Sequence, residues 1–131
     1  MKNYIVAALA GLVLMGCSSS SKEQRQLELI ASNRANLIMA ELPIERGPLT
    51  IMRASAKKTT IEIMMIYNQD APGAKPIKQV LAHSMNSYCT NDSVAANLEL
   101  GIDYRIKMRS SRGQLMVDQM VNRDTCNALN K

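Results

Sequence analysis

The stretch of sequence that decides the fold is IDYRIKMR, residues 102–109. Apolar side chains alternate with polar and basic ones along it, which is the period of a β-strand with one buried and one solvated face. The inward positions are Tyr104, Ile106 and Met108, and the outward positions are Arg105, Lys107 and Arg109. A turn at 110–113 and a further strand at 114–121 predict that the chain returns as a β-hairpin.

A second hairpin is predicted upstream. Residues 49–55 and 59–67 are rich in β-branched side chains, and the short segment 56–58 between them fits a turn. On the later strand, the period of two places Ile61, Ile63, Met65 and Tyr67 on one face. The opposite face carries Glu62, Met64 and Ile66, so it is only partly polar.

A helix is predicted before the first hairpin. Ser21 is a suitable N-cap, and Gln24, three residues later, would complete a capping box. Apolar residues then recur at helical spacing as far as Leu42. Since Pro43 disfavours helical geometry at the residue before it, we expect the helix to end near Leu42.

Two further helices are predicted between the hairpins. The first has Pro76 in its first turn, a position that proline favours. One side of this helix is lined by Ile77, Val80, Leu81, Ser84, Met85 and Tyr88. The second helix covers residues 93–100 and ends at Gly101. We therefore expect an α+β domain, an antiparallel sheet of about four or five strands in two hairpins with helices packed on one face.

The N-terminus has the pattern of a signal peptide. Lys2 precedes an apolar run at 5–14, which is too short for the roughly 20 residues of a transmembrane helix. The next residues, LMGC at 14–17, resemble a lipobox, although Met15 is larger than the residue usual at its position. We therefore predict that Cys17 is the lipidated first residue of the mature protein. The alternative is an ordinary thiol after a plain secretory signal.

This interpretation divides the chain into three segments. Residues 1–16 are a lipoprotein signal peptide, residues 17–21 a lipidated and flexible serine tether, and residues 22–131 one α+β domain. A serine follows Cys17, where aspartate is associated with retention in the inner membrane. The predicted location is therefore the outer membrane, with the domain anchored by lipid and facing the periplasm.

The cysteines support export. Three cysteines in an exported chain would leave an odd thiol, and acylation of Cys17 removes it. Cys89 and Cys126 are then the only pair, and we expect them to be bonded in an oxidising compartment. In the chain-entropy model, a loop of this length gives about 4 kcal/mol of stability.

No pattern in the sequence indicates catalysis. His83 is the only histidine, which excludes a histidine-based metal cluster, and its place opposite the apolar side of its helix predicts a solvated residue. Paired carboxylates, a nucleophile elbow, a P-loop and a dinucleotide fingerprint are all missing from the sequence. We expect neither an enzyme nor a metal site, and no cofactor besides the covalent acyl lipid on Cys17. Scattered basic residues without an aromatic platform also argue against nucleic-acid binding.

Two features could serve binding. Arg105, Lys107 and Arg109 form a basic stripe on one strand, which could be a plain solvated face or an anion contact. A set of apolar residues could form an adaptable surface on the sheet side away from the helices, and methionine suits such a role. These partner-binding candidates are Met52, Met64, Ile66, Met116 and Met120. The alternative is that they are ordinary core residues.

The segment from Cys89 to Cys126 resembles the pilotins of the type II secretion system, in the AspS or GspS-beta group of vibrios and some enteric bacteria. The spacing of the two cysteines fits, and the agreement extends upstream over most of the mature domain. The matching residues are Cys89, Val94, Gly101, Ile102, Tyr104, Ile106, Arg112, Arg123, Thr125 and Cys126, and upstream Leu42, Pro43, Ile44, Gly47, Thr59 and Thr60.

The resemblance implies a lipoprotein that binds the C-terminal segment of a secretin subunit. Such a protein would bring the secretin to the outer membrane through the lipoprotein sorting machinery, where the multimeric channel assembles. The partner segment would dock as an amphipathic helix in an apolar groove. Two other classes stay open: a periplasmic lipoprotein inhibitor of a hydrolase such as lysozyme, and a lipid-anchored structural protein of the envelope.

Overall fold

Five strands form one sheet in the computed structural model, which describes residues 17–131. The strands follow chain order across the sheet: β1 (Ile44–Arg46), β2 (Leu49–Lys57), β3 (Thr60–Tyr67), β4 (Asp103–Ser110) and β5 (Leu115–Val121). Both predicted hairpins are confirmed, since β2 pairs with β3 and β4 with β5, each antiparallel. The predicted signal peptide, residues 1–16, lies outside the described residues.

The two hairpins are joined by a parallel pair at the centre of the sheet. β3 and β4 run in the same direction, with Ile63 opposite Ile106 and Met65 opposite Met108. Parallel neighbours need a crossover connection, and here it contains α2 (Ile77–Thr90) and α3 (Asp92–Leu100). The predicted α+β class is confirmed, but the sheet is mixed rather than wholly antiparallel.

The first strand was not predicted. β1 has only three residues, with polar Glu45 and Arg46 in two of them, so it carries no clear period of two. It pairs antiparallel with the start of β2 across the turn at Gly47, whose φ of 58° is a conformation that favours glycine. β1 pairs with β2 alone and is therefore an edge strand of the sheet.

The first helix begins earlier than predicted. Within the described residues α1 spans Cys17–Met39, so the serines expected to be a flexible tether are helical, and Ser21 lies inside the helix rather than at its N-cap. Serine is only moderately unfavourable inside a helix, and a helix already formed downstream extends over it at little cost. At its other end, α1 stops three residues short of the predicted Leu42.

The predicted helices of the crossover are confirmed, with small shifts at their ends. α2 begins directly after Pro76, which is its N-cap rather than a first-turn residue. α3 ends at Gly101, whose φ of 100° satisfies the left-handed C-cap. A fourth helix, α4 (Arg123–Leu129), was not predicted, although Asn122 and Thr125 form a capping box at its start.

The core lies between the sheet and the helices. α1 packs over β2 and β3, whereas α2 and α4 lie against β5. The inward residues predicted on β4 are all buried, and so are the four residues predicted to share one face of β3. Ile61, Ile106 and Met108 are 0% exposed. Full burial of one such side chain contributes about 1.5–3 kcal/mol. On α1, the small residues Ala31 and Ala35 are buried and let the helix lie close to the sheet.

The predicted disulfide is confirmed. Cys89, near the end of α2, is bonded to Cys126 in α4, with their Cα atoms 5.4 Å apart. α4 has no buried residue, and Cys126 is its one side chain that packs against the core. The disulfide is therefore the main attachment of the last helix.

Two tyrosines and an asparagine form a polar contact inside the core. The side-chain amide of Asn97 donates a hydrogen bond to the hydroxyl of Tyr104 at 2.7 Å, and both residues are buried. The ring of Tyr88 meets that of Tyr104 edge to face, with centroids 5.8 Å apart. Burial, with a smaller contribution from Tyr104, raises the pKa of Tyr88 to about 12.

Replacement of Tyr104 by phenylalanine tests the buried hydrogen bond. It leaves the Asn97 amide buried without its partner, so we expect the free energy of unfolding in urea to fall by about 1–3 kcal/mol at pH 7. Tyr88→Phe is the matched control, because no hydrogen bond links the Tyr88 hydroxyl to any residue of 17–131. Equal losses in the two variants would contradict the prediction.

The raised pKa of Tyr88 predicts a loss of stability in alkali. The folded state holds the phenol proton more tightly than the unfolded state, so this contribution is complete below pH 10 and disappears as the pH rises towards 12. The free energy of unfolding is measured for the wild type and for Tyr88→Phe, each at pH 9 and at pH 11.5. We expect the wild type to lose about 1–2 kcal/mol more than the variant between these values. If the difference in unfolding free energy between the wild type and Tyr88→Phe is the same at both pH values, the raised pKa of Tyr88 is refuted.

Candidate functional site

A groove lies on the helix side of the sheet, between α2 and the adjoining ends of β2 and β3. It encloses about 400 Å³, within the range of sites that hold small ligands or partner side chains. We call it the α2 groove. Its apolar lining comes from Leu49, Tyr67 and Val80, and its basic and polar rim includes Arg46, Lys75 and His83.

The sequence builds this groove from segments that are distant along the chain. Leu49 begins β2 and Tyr67 ends β3, and the two are partners in the antiparallel register. The hydroxyl of Tyr67 donates a hydrogen bond to the carbonyl of Lys75, which fixes the loop that leads into α2. Val80, one turn into α2, then faces the same space.

The chemistry of the groove suits recognition rather than catalysis. His83 is exposed at the rim, as the sequence predicted, and no carboxylate or thiol lines the groove with it. Within residues 17–131, no cluster of three or more potential metal ligands occurs. An apolar floor with basic residues at its rim can accept apolar side chains that have acidic neighbours.

The predicted methionine surface is only partly assembled. Met64, Ile66 and Met120 lie half-buried on the sheet face opposite the helices, which we call the outer face. Met52 occupies an irregularity in the register of β2 and is 39% exposed. Met116 instead packs against the core, the alternative that the sequence left open, and a register shift between Met108 and Arg109 changes the alternation of β5 there.

The predicted basic stripe does lie on the outer face, but acidic neighbours partly neutralise it. Arg105 donates two hydrogen bonds to the carboxylate of Asp118, at 2.7 and 2.6 Å. These bonds lower the pKa of Asp118 and raise that of Arg105. The ammonium of Lys107 lies 3.4 Å from Glu62, whereas Arg109 donates to the carbonyl of Gly113.

Comparison with known proteins identifies the family. The family model described as the type II secretion system pilotin, S protein, matches residues 23–126. The chain belongs to this pilotin family. A curated relative, Pilotin AspS 2 of Escherichia coli O78:H11, is 25% identical over 122 residues, which cover 93% of this chain and 87% of the relative.

Two solved pilotin structures agree with the fold. The type II secretion pilotin EpsS of Vibrio vulnificus is 53% identical, with a TM-score of 0.76 over 81% of this chain and 96% of its own. The pilotin AspS of Vibrio cholerae is 52% identical, with the same TM-score of 0.76 over 83% of this chain and all of its own. The match spans those chains almost whole, so a chain of this extent has the fold in both solved structures.

The α2 groove of this pilotin was not predicted from the sequence. Its lining comes from the β1–β2 turn, the ends of two strands, a loop and α2. No single stretch of sequence therefore has a pattern that predicts the groove. The weak signals available were Pro48 and Gly73, which mark the two turns that border the space. Among the helices of the described residues, none combines the length and apolarity required to cross a membrane.

Proposed function

We propose that this chain is an outer-membrane lipoprotein pilotin that binds the C-terminal segment of the type II secretion secretin. In this proposal, the lipoprotein sorting machinery carries the pair to the outer membrane, where the secretin multimer assembles. The observation that carries it is the match of residues 23–126 to the pilotin family. The similarity to the pilotins of two Vibrio species supports it.

Anchoring is assigned to an acyl lipid on Cys17. The support is the lipobox-like LMGC at 14–17. Residues 20–26 of this helix are all exposed and include no apolar side chain. With a rise of 1.5 Å per residue, residues 17–26 would hold the folded body roughly 15 Å from the lipid. Each buried CH₂ of the acyl chains adds about 0.8 kcal/mol of membrane affinity, which the bound secretin segment would share.

Recognition is assigned to the α2 groove. An amphipathic helix placed in it would insert apolar side chains against Leu49, Tyr67 and Val80. Acidic side chains at the border of that helix would meet Arg46 and Lys75 at the rim, which supplies register and orientation more than affinity. Anchor and groove are thus separate parts of the molecule, and single substitutions can separate their roles.

Replacement of Cys17 by alanine tests the anchor. We expect the variant pilotin in the soluble periplasmic fraction, with secretin multimers left in the inner membrane or degraded, because no acyl chain can be attached. In a pull-down with a secretin C-terminal peptide, the variant should be retained in the same amount as the wild type. Ser18→Asp should keep the lipid but hold the pilotin in the inner membrane, and Ser19→Ala is the matched control. Normal outer-membrane multimers in the Cys17→Ala strain, seen by fractionation and immunoblotting, would sink the proposal.

Replacement of Gln79 by tryptophan tests the groove. Gln79 is an exposed lining residue of the α2 groove, so a large ring there should obstruct a partner helix without disturbing the core. We expect the affinity for the secretin peptide, measured by fluorescence anisotropy, to fall at least about tenfold, or ~1.4 kcal/mol. Lys78→Trp is the matched control, since Lys78 is the exposed neighbour and does not line the groove. If Gln79→Trp binds the peptide as tightly as the wild type, or if both variants lose the same affinity, the secretin segment does not bind in the α2 groove.

A further inference from the structure

A second concave surface lies on the outer face of the sheet, opposite the helices. It encloses about 310 Å³ and is lined only by residues of β2, β3 and β4. We call it the basic cleft. Its charged and apolar lining consists of Arg53, Lys57, Glu62, Met64, Lys107 and Arg109.

The basic cleft carries an uncompensated positive charge. Four basic side chains line it against a single carboxylate, Glu62, which gives a net charge of +3. Glu62 is shared, because Lys57 and Lys107 each lie 3.4 Å from one of its oxygens. Arg53 is exposed, and its guanidinium makes no ion pair or hydrogen bond with any residue of 17–131. Glu45, Asp103 and Asp118 also lie on this face by the register but do not line the cleft, and Asp118 is hydrogen-bonded to Arg105.

The register arranges these groups in three columns. Met64 pairs with Arg53 on one side and with Lys107 on the other, so a half-buried apolar side chain lies between two cations. Ile66 continues the apolar column along β3, and Arg109 is its partner on β4. Neighbouring strands are about 4.8 Å apart, so Met64 has a cation on each side, whereas Ile66 has Arg109 on one side and Thr50 on the other.

We propose that the basic cleft binds an acidic segment of a protein partner in which acidic and apolar side chains alternate. Apolar side chains of the segment lie on Met64 and Ile66, and its carboxylates reach Arg53, Lys107 and Arg109. Glu62 repels an acid at one end of the cleft and so sets the direction of the segment. This site is independent of the α2 groove, which lies on the other side of the sheet.

The arrangement favours a polypeptide over a lipid surface. Cys17, the proposed lipid anchor, belongs to α1, which packs on the opposite face of the sheet. A phosphate headgroup would interact with the cations alone, whereas the apolar column of Met64 and Ile66 has a counterpart only in a segment with apolar side chains. Electrostatic complementarity of this kind contributes specificity and association rate.

The test uses the domain of residues 18–131 and a fluorescent eight-residue peptide of alternating glutamate and leucine. Arg53→Glu combined with Arg109→Glu reverses two charges of the cleft, and Arg34→Glu combined with Lys78→Glu reverses two exposed charges elsewhere. We expect the cleft variant to bind the peptide at least about tenfold more weakly than the wild type and the control variant. NMR shifts caused by the peptide should centre on the methyl group of Met64. Circular dichroism and thermal unfolding verify that both variants are folded.

Other outcomes would overturn the proposal. Equal weakening in both double variants means that binding follows net charge alone. Shifts centred on Leu49 and Val80 mean that the peptide occupies the α2 groove, and binding should then be lost in Gln79→Trp. Binding to phosphatidylglycerol vesicles but not to the peptide, with the same loss in the cleft variant, assigns the cleft to lipid headgroups. None of these results depends on whether the α2 groove binds a secretin.

Discussion

The parallel pairing of β3 with β4 is the constraint on which the rest of the structure depends. Parallel neighbours cannot be joined by a tight turn, so the chain between them crosses one face of the sheet as α2 and α3. That crossover brings α2 beside the ends of β2 and β3 and so creates the α2 groove. It also places Cys89 beside Cys126, and within residues 17–131 no helix covers the basic cleft on the outer face.

Local periodicity explains what the sequence could predict. Clear alternation at 102–109 identified the inward residues of β4, the period of two at 59–67 grouped the residues that share the buried face of β3, and Gly101 correctly marked the end of α3. Pairing between β3 and β4 is a contact between distant segments, and no local pattern encodes it. β1 is too short to show a period, and the serines at the start of α1 are helical because the helix downstream extends over them.

The candidate sites were harder to predict because each is assembled from several elements. Of the five apolar candidates, Met64, Ile66 and Met120 do lie on the outer face, since they follow the period of two. Met116 does not, because one register shift in β5 is enough to exchange inward and outward positions. The basic stripe was located correctly, but its neutralisation by Asp118 and Glu62 depends on neighbouring strands that the stripe itself does not specify.

The last helix has a consequence for how the fold responds to its surroundings. α4 has no fully buried side chain, so the hydrophobic effect contributes little to its attachment to the rest of the domain. Its position depends on the disulfide bond between Cys89 and Cys126, which exists only when both sulfur atoms are oxidised. Without the bond between Cys89 and Cys126, the C-terminus could separate from α2. An oxidising compartment would therefore complete the attachment of the last helix.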